Sequence, residues 1–169
     1  MTRIRPLVLV LALLAALPAI ASAQQLVYLV RHAERADGGA GAGQMQGAPD
    51  PLLSAAGEAR AARLATILAD AGIAAIYATE FRRTQDTVKP LAAKLTVTVT
   101  QHPARDTAAL VAALKKDHAR DVVLIAGHSN TLPAIIKALG GGDITIRDDE
   151  YDSLFVIVPG TGVVSRLRF

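Results

Sequence analysis

Residues 26–35 are Leu26-Val27-Tyr28-Leu29-Val30-Arg31-His32-Ala33-Glu34-Arg35, five apolar residues followed directly by an arginine and a histidine. A continuous apolar run of this length is typical of a strand that is buried on both faces, as in parallel sheets. In open α/β sheets the ligand crevice lies outside the carboxyl ends of the strands. The stretch therefore predicts a buried strand whose end carries Arg31 and His32 into a ligand site.

The same arrangement occurs once more, in the second half of the chain. The apolar run 122–126 is followed directly by Gly127-His128-Ser129-Asn130. Ser129, Asn130 and Thr131 lie at the predicted start of a helix, where backbone N–H groups favour anions. Helix capping explains these three residues as well as ligand binding does. Two histidines thus follow two predicted buried strands.

The rest of the sequence alternates between strand and helix patterns. Periodicity and turn residues predict, in chain order, a helix over 52–71, a strand over 73–78, a helix over 81–95, an edge strand over 95–100, a helix over 106–117, a strand over 122–126, a helix over 132–139, and a hairpin of strands 154–158 and 163–167. In the first helix the spacing places Leu64, Ile67, Leu68 and Ala71 on the buried face. This order predicts a three-layer α/β/α sandwich with a mostly parallel central sheet.

Residues 1–23 have the layout of a secretory signal peptide. A basic start precedes an apolar stretch from Leu7 to Leu17 and an Ala21-Ser22-Ala23 end. We expect cleavage before Gln24, which would leave residues 24–169 as one domain. An uncleaved membrane anchor is disfavoured, because the apolar stretch is shorter than the roughly 20 residues that span a bilayer. The protein is therefore expected to be periplasmic or secreted, without a stable membrane anchor.

Composition excludes several functions. The 18 Lys and Arg residues exceed the 15 Asp and Glu residues by only three, and no basic run with interleaved aromatic residues remains after the leader, so nucleic acid is not an expected partner. The chain contains no cysteine, which excludes catalysis by a cysteine thiolate. None of the four histidines stands in a recognisable ligand spacing, so neither a metal nor another cofactor is expected. His102 and His118 are interpreted as surface residues.

Three motifs in one order resemble those of the histidine phosphatase superfamily, the phosphoglycerate-mutase-like proteins. They are Arg31-His32-Ala33-Glu34, the segment Thr79-Glu80-Phe81-Arg82-Arg83-Thr84-Gln85-Asp86-Thr87, and Gly127-His128-Ser129-Asn130. The entry into the first helix, from Asp50 to Gly57, is also similar to the family. The similarity covers essentially the whole chain after the leader, and the compact size resembles the small phosphohistidine phosphatases. Ala33 replaces a glycine that many relatives carry.

The resemblance implies which residues act on phosphate. His32 would be the nucleophile, Arg31 and Arg83 would bind the phosphoryl group, and His128 would complete the pocket as a donor to that group. A neutral imidazole is nucleophilic near pH 7, and each guanidinium offers forked donors to phosphate oxygens. Arg82 competes with Arg83 for its role. Adjacent helical residues point about 100° apart, so only one can face the sheet edge, and the motif favours Arg83.

Further substrate-binding residues are less well defined. Glu34 would orient His32 or contact the substrate, and a loop ion pair with Arg35 is an alternative. Asn130 would contact the substrate if it does more than cap a helix. The Gly-rich stretch 38–43 is interpreted as a flexible spacer that could cover the pocket. It lacks the Gly-Lys-Ser/Thr ending of a nucleotide-binding loop.

The proton donor for the leaving group has two candidates. Asp106 is the first carboxylate after the predicted edge strand, the place where related phosphatases carry their donor. Asp106 is equally suited to cap the helix that follows. Glu80 shares a helix face with Arg83, but proximity to that guanidinium would keep the Glu80 carboxylate ionised. Asp106 is therefore the preferred candidate.

The resemblance implies an exported, metal-independent phosphatase that acts through a covalent phosphohistidine. Its substrate would be a phosphomonoester or phosphohistidine, on a phosphorylated small molecule or a phosphoprotein. A non-catalytic protein that binds phosphorylated ligands is the alternative, since no proton donor is obvious. A phosphomutase is disfavoured by the predicted export and by the short chain.

Overall fold

The computed structural model describes residues 25–38 and 50–169. The predicted signal peptide, its cleavage position before Gln24 and residues 39–43 of the Gly-rich stretch lie outside the described residues. Within the two described ranges, no helix has the length and apolar character needed to cross a bilayer.

Strands and helices alternate along most of the chain. They are β1 Leu26–Arg31, α1 Ala55–Ile67, β2 Ile73–Thr79, α2 Arg82–Leu95, β3 Val99–His102, α3 Thr107–Asp117, β4 Val122–Gly127, α4 Leu132–Ala138, β5 Ser153–Ile157 and β6 Val164–Arg168. The continuous apolar runs predicted to be buried strands form β1 and β4, and the predicted closing hairpin forms β5 and β6. The element types were thus predicted correctly throughout the described residues.

The six strands form one sheet in the order β3-β2-β4-β1-β5-β6. The first four strands of this order run parallel, whereas β5 pairs antiparallel with both β1 and β6. β1 and β4 are therefore central neighbours, in register from Leu26 opposite Val122 to Arg31 opposite Gly127. Because parallel strands end at the same edge of a sheet, the residues after β1 and β4 meet there.

Helices cover both faces of the sheet. On one face, α3 and α4 pack on side chains such as Val27, Leu29 and Ile125. On the other face, α1 and α2 pack on the alternate strand residues, including Val30 and Leu124. Successive strand residues point to opposite faces, so one strand serves both layers of core. The predicted three-layer α/β/α sandwich with a mostly parallel sheet is confirmed.

The start of α1 packs against the turn that follows β1. The backbone N–H of Ser54 donates to the Glu34 carbonyl oxygen at 2.9 Å, and the Ser54 side chain caps α1 by accepting from the Gly57 N–H. A Cβ atom at Gly57 would lie only 2.3 Å from the Glu34 carbonyl oxygen. Glycine thus lets the helix approach closely, and the approach fixes the path of the chain just after Arg31 and His32.

The predicted extents of α1 and of the edge strand were wrong, and α1 ends at Ile67 rather than at Ala71. α1 begins at Ala55 rather than Leu52, because Ser54 caps it. Its buried face contains Ala61, Leu64, Ala65 and Leu68, whereas Ile67 is 47% exposed; at 100° per residue, Ile67 lies beyond the border of that face. The predicted edge strand 95–100 is an edge strand, but it spans Val99–His102, because α2 continues to Leu95 and ends at Thr96 with a left-handed φ of 56°.

His102 and His118 are not simple surface residues. His102 is the last residue of β3 and is buried. Nε2 of His118 lies 2.9 Å from the hydroxyl of Tyr77, and its Nδ1 lies 2.8 Å from a carboxylate oxygen of Asp121. The sequence interpretation missed these environments because His102 ends a short edge strand and His118 caps a helix, and the depth of both depends on neighbouring layers.

Candidate active site

The two histidines that follow β1 and β4 lie side by side at the carboxyl edge of the sheet. The ring centroids of His32 and His128 are 5.3 Å apart, and both side chains are buried. The backbone N–H of His32 donates to the Gly127 carbonyl oxygen at 2.9 Å. This bond continues the β1–β4 ladder by one residue, so the sheet itself sets the spacing between the rings.

The ring of His32 is held in one tautomer. Its Nδ1 lies 2.8 Å from the backbone carbonyl oxygen of Ala33, and a carbonyl oxygen can only accept, so Nδ1 carries the hydrogen. Nε2 therefore carries the lone pair. Burial, aided by the charges of the nearby Arg31 and Arg83 and opposed by the Ala33 hydrogen bond, lowers the pKa of His32 from 6.5 to about 3. The ring is thus neutral near pH 7.

Arg31 is held by the loop that precedes β5. Its Nη1 donates to the backbone carbonyl oxygens of Arg147, Asp148 and Glu150 at 3.0, 2.8 and 3.2 Å. The guanidinium carbon lies 4.1 Å from the ring centroid of Tyr151, and Nη2 lies 3.4 Å from the Tyr151 hydroxyl. Several carbonyl oxygens therefore fix this charge beside His32 without neutralising it with a direct carboxylate partner.

Arg83 enters the site from the first turn of α2. Its side chain is buried, whereas Arg82 is exposed, as the angle between adjacent helical residues predicts. Nη1 of Arg83 lies 3.3 Å from a carboxylate oxygen of Asp50, and its guanidinium carbon lies 4.3 Å from the ring centroid of Phe81. The other oxygen of Asp50 accepts from the Arg82 N–H at 2.7 Å. Asp50 thus fixes both the start of α2 and the arginine that it carries.

Unused donors remain on both arginines. Nε of Arg31 and Nε of Arg83 are buried and have no hydrogen-bond partner among the described residues. Burial lowers the pKa of each guanidinium, yet an arginine stays charged near pH 7. Two fixed positive charges with spare donors beside a neutral imidazole suit the binding of an anion such as a phosphoryl group.

Threonines that the sequence interpretation did not single out support the two histidines. Thr79 Oγ1 lies 3.0 Å from Nε2 of His128 and 2.7 Å from the hydroxyl of Thr84. Thr87 Oγ1 accepts from the Ala33 N–H at 2.8 Å and donates to the Arg83 carbonyl oxygen at 2.7 Å. The signal for Thr84 and Thr87 was their position on the same buried face of α2, but spacing alone does not show which strand end that face meets.

The Glu34 carboxylate pairs with neither His32 nor Arg35, the two neighbours expected for it. Its carboxylate accepts from Nε and Nη2 of Arg60 at 2.6 to 3.0 Å, while Arg35 pairs with Asp37. The predicted ion pair with Arg35 is therefore wrong, because the turn after β1 directs Glu34 toward α1. Glu34 also does not orient His32, whose ring nitrogen bonds the Ala33 carbonyl. Burial raises the pKa of Glu34, but the Arg60 hydrogen bonds, a backbone hydrogen bond and the charges of Arg60 and Arg31 together outweigh it, so the pKa lies below its usual value.

The candidate proton donors lie at the edge of the site. Asp106 is an exposed residue that caps α3 by accepting from the Ala109 N–H at 2.9 Å. Glu80 accepts from the Ala104 N–H at 2.8 Å. Asn130 is exposed at the start of the turn before α4. In the structure neither carboxylate contacts His32 or His128, so the donor role of Asp106 and the substrate role of Asn130 stay predictions.

His102 adds a third buried histidine near the pocket. It lies opposite Thr79 in the β2–β3 register, and its charge, if present, would lower the pKa of His128. Its Nδ1 lies 3.1 Å from the Pro103 carbonyl oxygen, and its Nε2 is buried without a partner in the described part of the chain. Within that part, no group of three or more His, Asp or Glu side chains could hold a metal ion.

The two neutral, buried histidines predict loss of stability in acid. Burial, aided by the charges of His32, Arg83 and Arg31, lowers the pKa of His128 from 6.5 to about 2. Below pH 6.5 the two histidines are protonated in the unfolded chain, whereas in the folded protein they stay neutral until about pH 3 or below. The unfolded chain therefore binds more protons, and unfolding is favoured as the pH falls. From about pH 7.5 to pH 4.5, each histidine should reduce the free energy of unfolding by about 2–3 kcal/mol.

Urea denaturation at the two pH values would measure this loss. The double variant His32→Gln, His128→Gln retains every carboxylate but lacks both titrating rings, so it isolates their contribution. We expect the wild type to lose more stability in acid than the double variant. Equal losses would mean that the two rings take up their protons over the same pH range in the folded protein as in the unfolded chain.

Comparison with known proteins places the fold among those of known phosphatases. Residues 27–106, from β1 to the cap of α3, match the model of a family described as the histidine phosphatase superfamily (branch 1). No curated protein sequence matches the chain.

Solved structures of several phosphatases resemble the described fold. A phosphoserine phosphatase from Entamoeba histolytica in complex with 3-phosphoglyceric acid has a TM-score of 0.63 at 14% identity, covering 86% of this chain and 96% of that one. A mycobacterial glucosyl-3-phosphoglycerate phosphatase complexed with VO3 has a TM-score of 0.63 at 14% identity, covering 85% and 98%.

An Escherichia coli protein described as a candidate alpha-ribazole-5'-P phosphatase has a TM-score of 0.65 at 15% identity, covering 86% of this chain and 96% of that one. At such identities the likeness shows a shared fold. The family match covers residues 27–106, the part of the chain that carries Arg31, His32 and Arg83, and shows that this part is similar to the histidine phosphatase superfamily.

Proposed function

We propose that the protein is an exported phosphatase that hydrolyses a phosphomonoester or phosphohistidine through a covalent phosphohistidine at His32, without a metal ion. The observation that carries the proposal is the tautomer of His32. The Ala33 carbonyl oxygen holds the hydrogen on Nδ1, so Nε2 presents a lone pair beside two buried guanidinium groups. The match of residues 27–106 to the histidine phosphatase superfamily and the phosphatase folds of the solved neighbours support the same activity.

The chemistry would proceed in two displacements. In the first, the Nε2 lone pair forms an N–P bond as the P–O bond to the leaving group breaks, and the leaving oxygen takes the bonding electrons and a proton. In the second, water attacks phosphorus and loses a proton to the carboxylate that protonated the leaving group, the N–P bond returns its electrons to Nε2, and inorganic phosphate leaves. Arg31 and Arg83 would stabilise the charge on the phosphoryl oxygens in both steps.

The names of the similar solved structures support one substrate class over another. The solved phosphatases include proteins named for glucosyl-3-phosphoglycerate and for phosphoserine, which supports a phosphorylated small molecule; a phosphoprotein is the second substrate class. Asp106 is the proposed proton donor and Glu80 its alternative. Residues 1–23 would direct export to the periplasm or the medium and be removed before Gln24.

Hydrolysis of p-nitrophenyl phosphate in the presence of EDTA tests the activity. The wild type should turn over without added metal, and a rapid quench with labelled substrate should trap a phosphoenzyme that is labile in acid and stable in base. Activity lost in EDTA and restored by a divalent ion would contradict the mechanism. Binding of phosphate without any turnover would favour a non-catalytic protein that binds phosphorylated ligands.

Adjacent arginines provide a matched control for the site. Arg83→Ala removes a buried guanidinium, and each charged hydrogen bond is worth about 1.5–3 kcal/mol, so kcat/KM should fall by roughly 10- to 100-fold. Arg82→Ala removes the same charge from an exposed position one residue away and should change kcat/KM less than about twofold. The reverse order would place the phosphate site on the other face of α2.

A further inference from the structure

His128 is joined to α2 by a chain of hydroxyl groups with a defined direction. The Thr84 hydroxyl lies 2.6 Å from the Phe81 carbonyl oxygen and 3.1 Å from the Thr79 carbonyl oxygen. Both carbonyl oxygens can only accept, and a hydroxyl has a single hydrogen. The Thr84 hydrogen is therefore used on a carbonyl oxygen, and Thr84 Oγ1 has only lone pairs to offer to other partners.

The direction of hydrogen donation along this chain also determines which ring nitrogen of His128 carries a hydrogen. Thr79 Oγ1 lies 2.7 Å from Thr84 Oγ1, so the hydrogen between these two oxygens comes from Thr79. With its hydrogen used, Thr79 Oγ1 can only accept from Nε2 of His128 at 3.0 Å. Nε2 of His128 therefore carries a hydrogen, and in the neutral ring Nδ1 carries the lone pair.

We propose that Thr79 and Thr84 hold His128 with its hydrogen on Nε2, so that a bound phosphate group carries one proton shared between a phosphoryl oxygen and Nδ1 of His128. This inference rests on the proposed function, because it places the phosphoryl group between the two histidine rings. Thr79 and Thr84 are positioning residues that act through His128. The site then selects a singly protonated phosphomonoester, or takes up a proton when it binds a dianion.

The surroundings of His128 favour a lone pair on Nδ1 in the free protein. The charged and titratable groups that act on the ring are Arg31 and His32 at the end of β1, Arg83 on α2 and His102 at the end of β3. All four disfavour a second proton on the ring, and Nδ1 has no hydrogen-bond partner among the described residues. A lone pair facing an unprotonated phosphate oxygen would repel it, so a proton must join them.

Calorimetry with inorganic phosphate counts this proton. Titrations of the full mature protein at about pH 8.5, well above the second pKa of a phosphate group, in two buffers of different ionisation enthalpy give the protons taken up per phosphate bound. The wild type should take up about one. Thr79→Val removes the acceptor for Nε2–H, so the ring hydrogen can move to Nδ1 and donate to the dianion, and uptake should fall to about zero.

Two variants separate this role from general support of the fold. Thr79→Ser retains the hydroxyl and should restore uptake of about one proton. Thr87→Val removes a buried hydroxyl of α2 that does not contact His128 and should leave the uptake number at one, even if it weakens binding. Loss of uptake in Thr87→Val to the same extent as in Thr79→Val would overturn the assignment.

The ¹⁵N chemical shifts of the histidine rings test the inference in the wild type, so the result does not depend on whether the variants fold. In wild-type protein with ¹⁵N-labelled histidine near pH 7, Nε2 of His128 should give the shift of a protonated ring nitrogen and Nδ1 that of an unprotonated one. The opposite pattern, or phosphate binding without proton uptake, would overturn the inference and leave the proposed function standing. A wild type that neither binds phosphate nor hydrolyses its esters would overturn both.

Discussion

Replacement of His32 by alanine is expected to lower kcat by roughly 10⁴- to 10⁶-fold, the range typical for loss of a catalytic nucleophile. The His32 ring follows the strand end beside Arg31, is neutral near pH 7, and is directed by a backbone carbonyl to present an unprotonated nitrogen. Without it no covalent intermediate can form, whereas Arg31 and Arg83 remain to bind phosphate. KM should therefore change far less than kcat.

The measurement is steady-state hydrolysis of p-nitrophenyl phosphate, with the quench experiment run in parallel. His118→Gln is the control, since His118 bonds Tyr77 and Asp121 rather than the site residues. It should retain most of the activity and the trapped phosphoenzyme. If His32→Ala kept more than about a tenth of the wild-type kcat, another residue would carry the phosphoryl group.

Added imidazole provides a further check on the alanine variant. A free imidazole that enters the space left by the ring offers the same lone pair, so partial recovery of turnover with phosphoimidazole as a product is expected. The recovery should depend on the neutral form of the added base, which loses its proton near pH 7. Recovery without any phosphoimidazole would mean that the additive acts only as a base for water.

Much of the architecture was predictable because it depends on local patterns. The apolar runs of β1 and β4 end abruptly in polar motifs, and a strand that is buried on both faces reveals itself by such a run. The helix periods placed three layers correctly. Boundaries were less predictable, since caps such as Ser54 and the left-handed Thr96 end elements within an apolar pattern that continues beyond them.

The site residues could be predicted from sequence only where a single motif shows both the strand or helix and the side chain that it carries into the site. The Arg31-His32 pair and the buried orientation of Arg83 follow from a strand end and from a helix angle. Tyr151 lies far along the chain from Arg31, and Glu34 meets Arg60 across 26 residues. Such contacts depend on how layers rotate against one another, and no local pattern records that rotation.

Buried polar support was missed for a related reason. Thr79 is the last residue of β2, and it could have been an ordinary β-branched strand residue. The role of Thr79 becomes clear only in the folded structure, where α2 places Thr84 and the end of β4 places His128 within hydrogen-bond distance of its hydroxyl. His102 was misjudged because an edge strand was expected to end before it and to leave it in solvent.

Replacement of Arg31 by alanine is expected to affect both activity and folding. Removing one preorganised donor to a developing charge typically costs about 10²- to 10³-fold in rate, so kcat/KM should fall by at least that factor. The same change removes the donor to three backbone carbonyls of residues 147–150. An unsatisfied buried acceptor costs about 1–3 kcal/mol, so the free energy of unfolding should drop by about 2–4 kcal/mol once water replaces part of the loss.

A comparison of two substitutions at position 31 separates charge from geometry. Arg31→Lys keeps the positive charge but has one ammonium in place of a forked guanidinium, so it cannot serve the carbonyl cluster and a phosphoryl oxygen at once. It should retain more activity than Arg31→Ala while losing a similar amount of stability. Arg63→Ala, which removes an exposed arginine of α1, is the control and should change neither quantity.

Activity and stability of the Arg31 variants can change independently, because the loop before β5 has a second point of attachment. Glu150 is buried, bonds Ser153 at 2.6 Å and pairs with Arg166 of β6, so this loop has a second anchor on the antiparallel side of the sheet. If Arg31→Ala lost activity but kept its stability in urea denaturation, that anchor would suffice to hold the loop and Arg31 would serve the ligand alone. If stability fell while kcat/KM stayed unchanged, the phosphoryl group would lie away from Arg31. Joint loss of both is expected, because the bonds that position the guanidinium beside His32 are the same bonds that tie β1 to the loop.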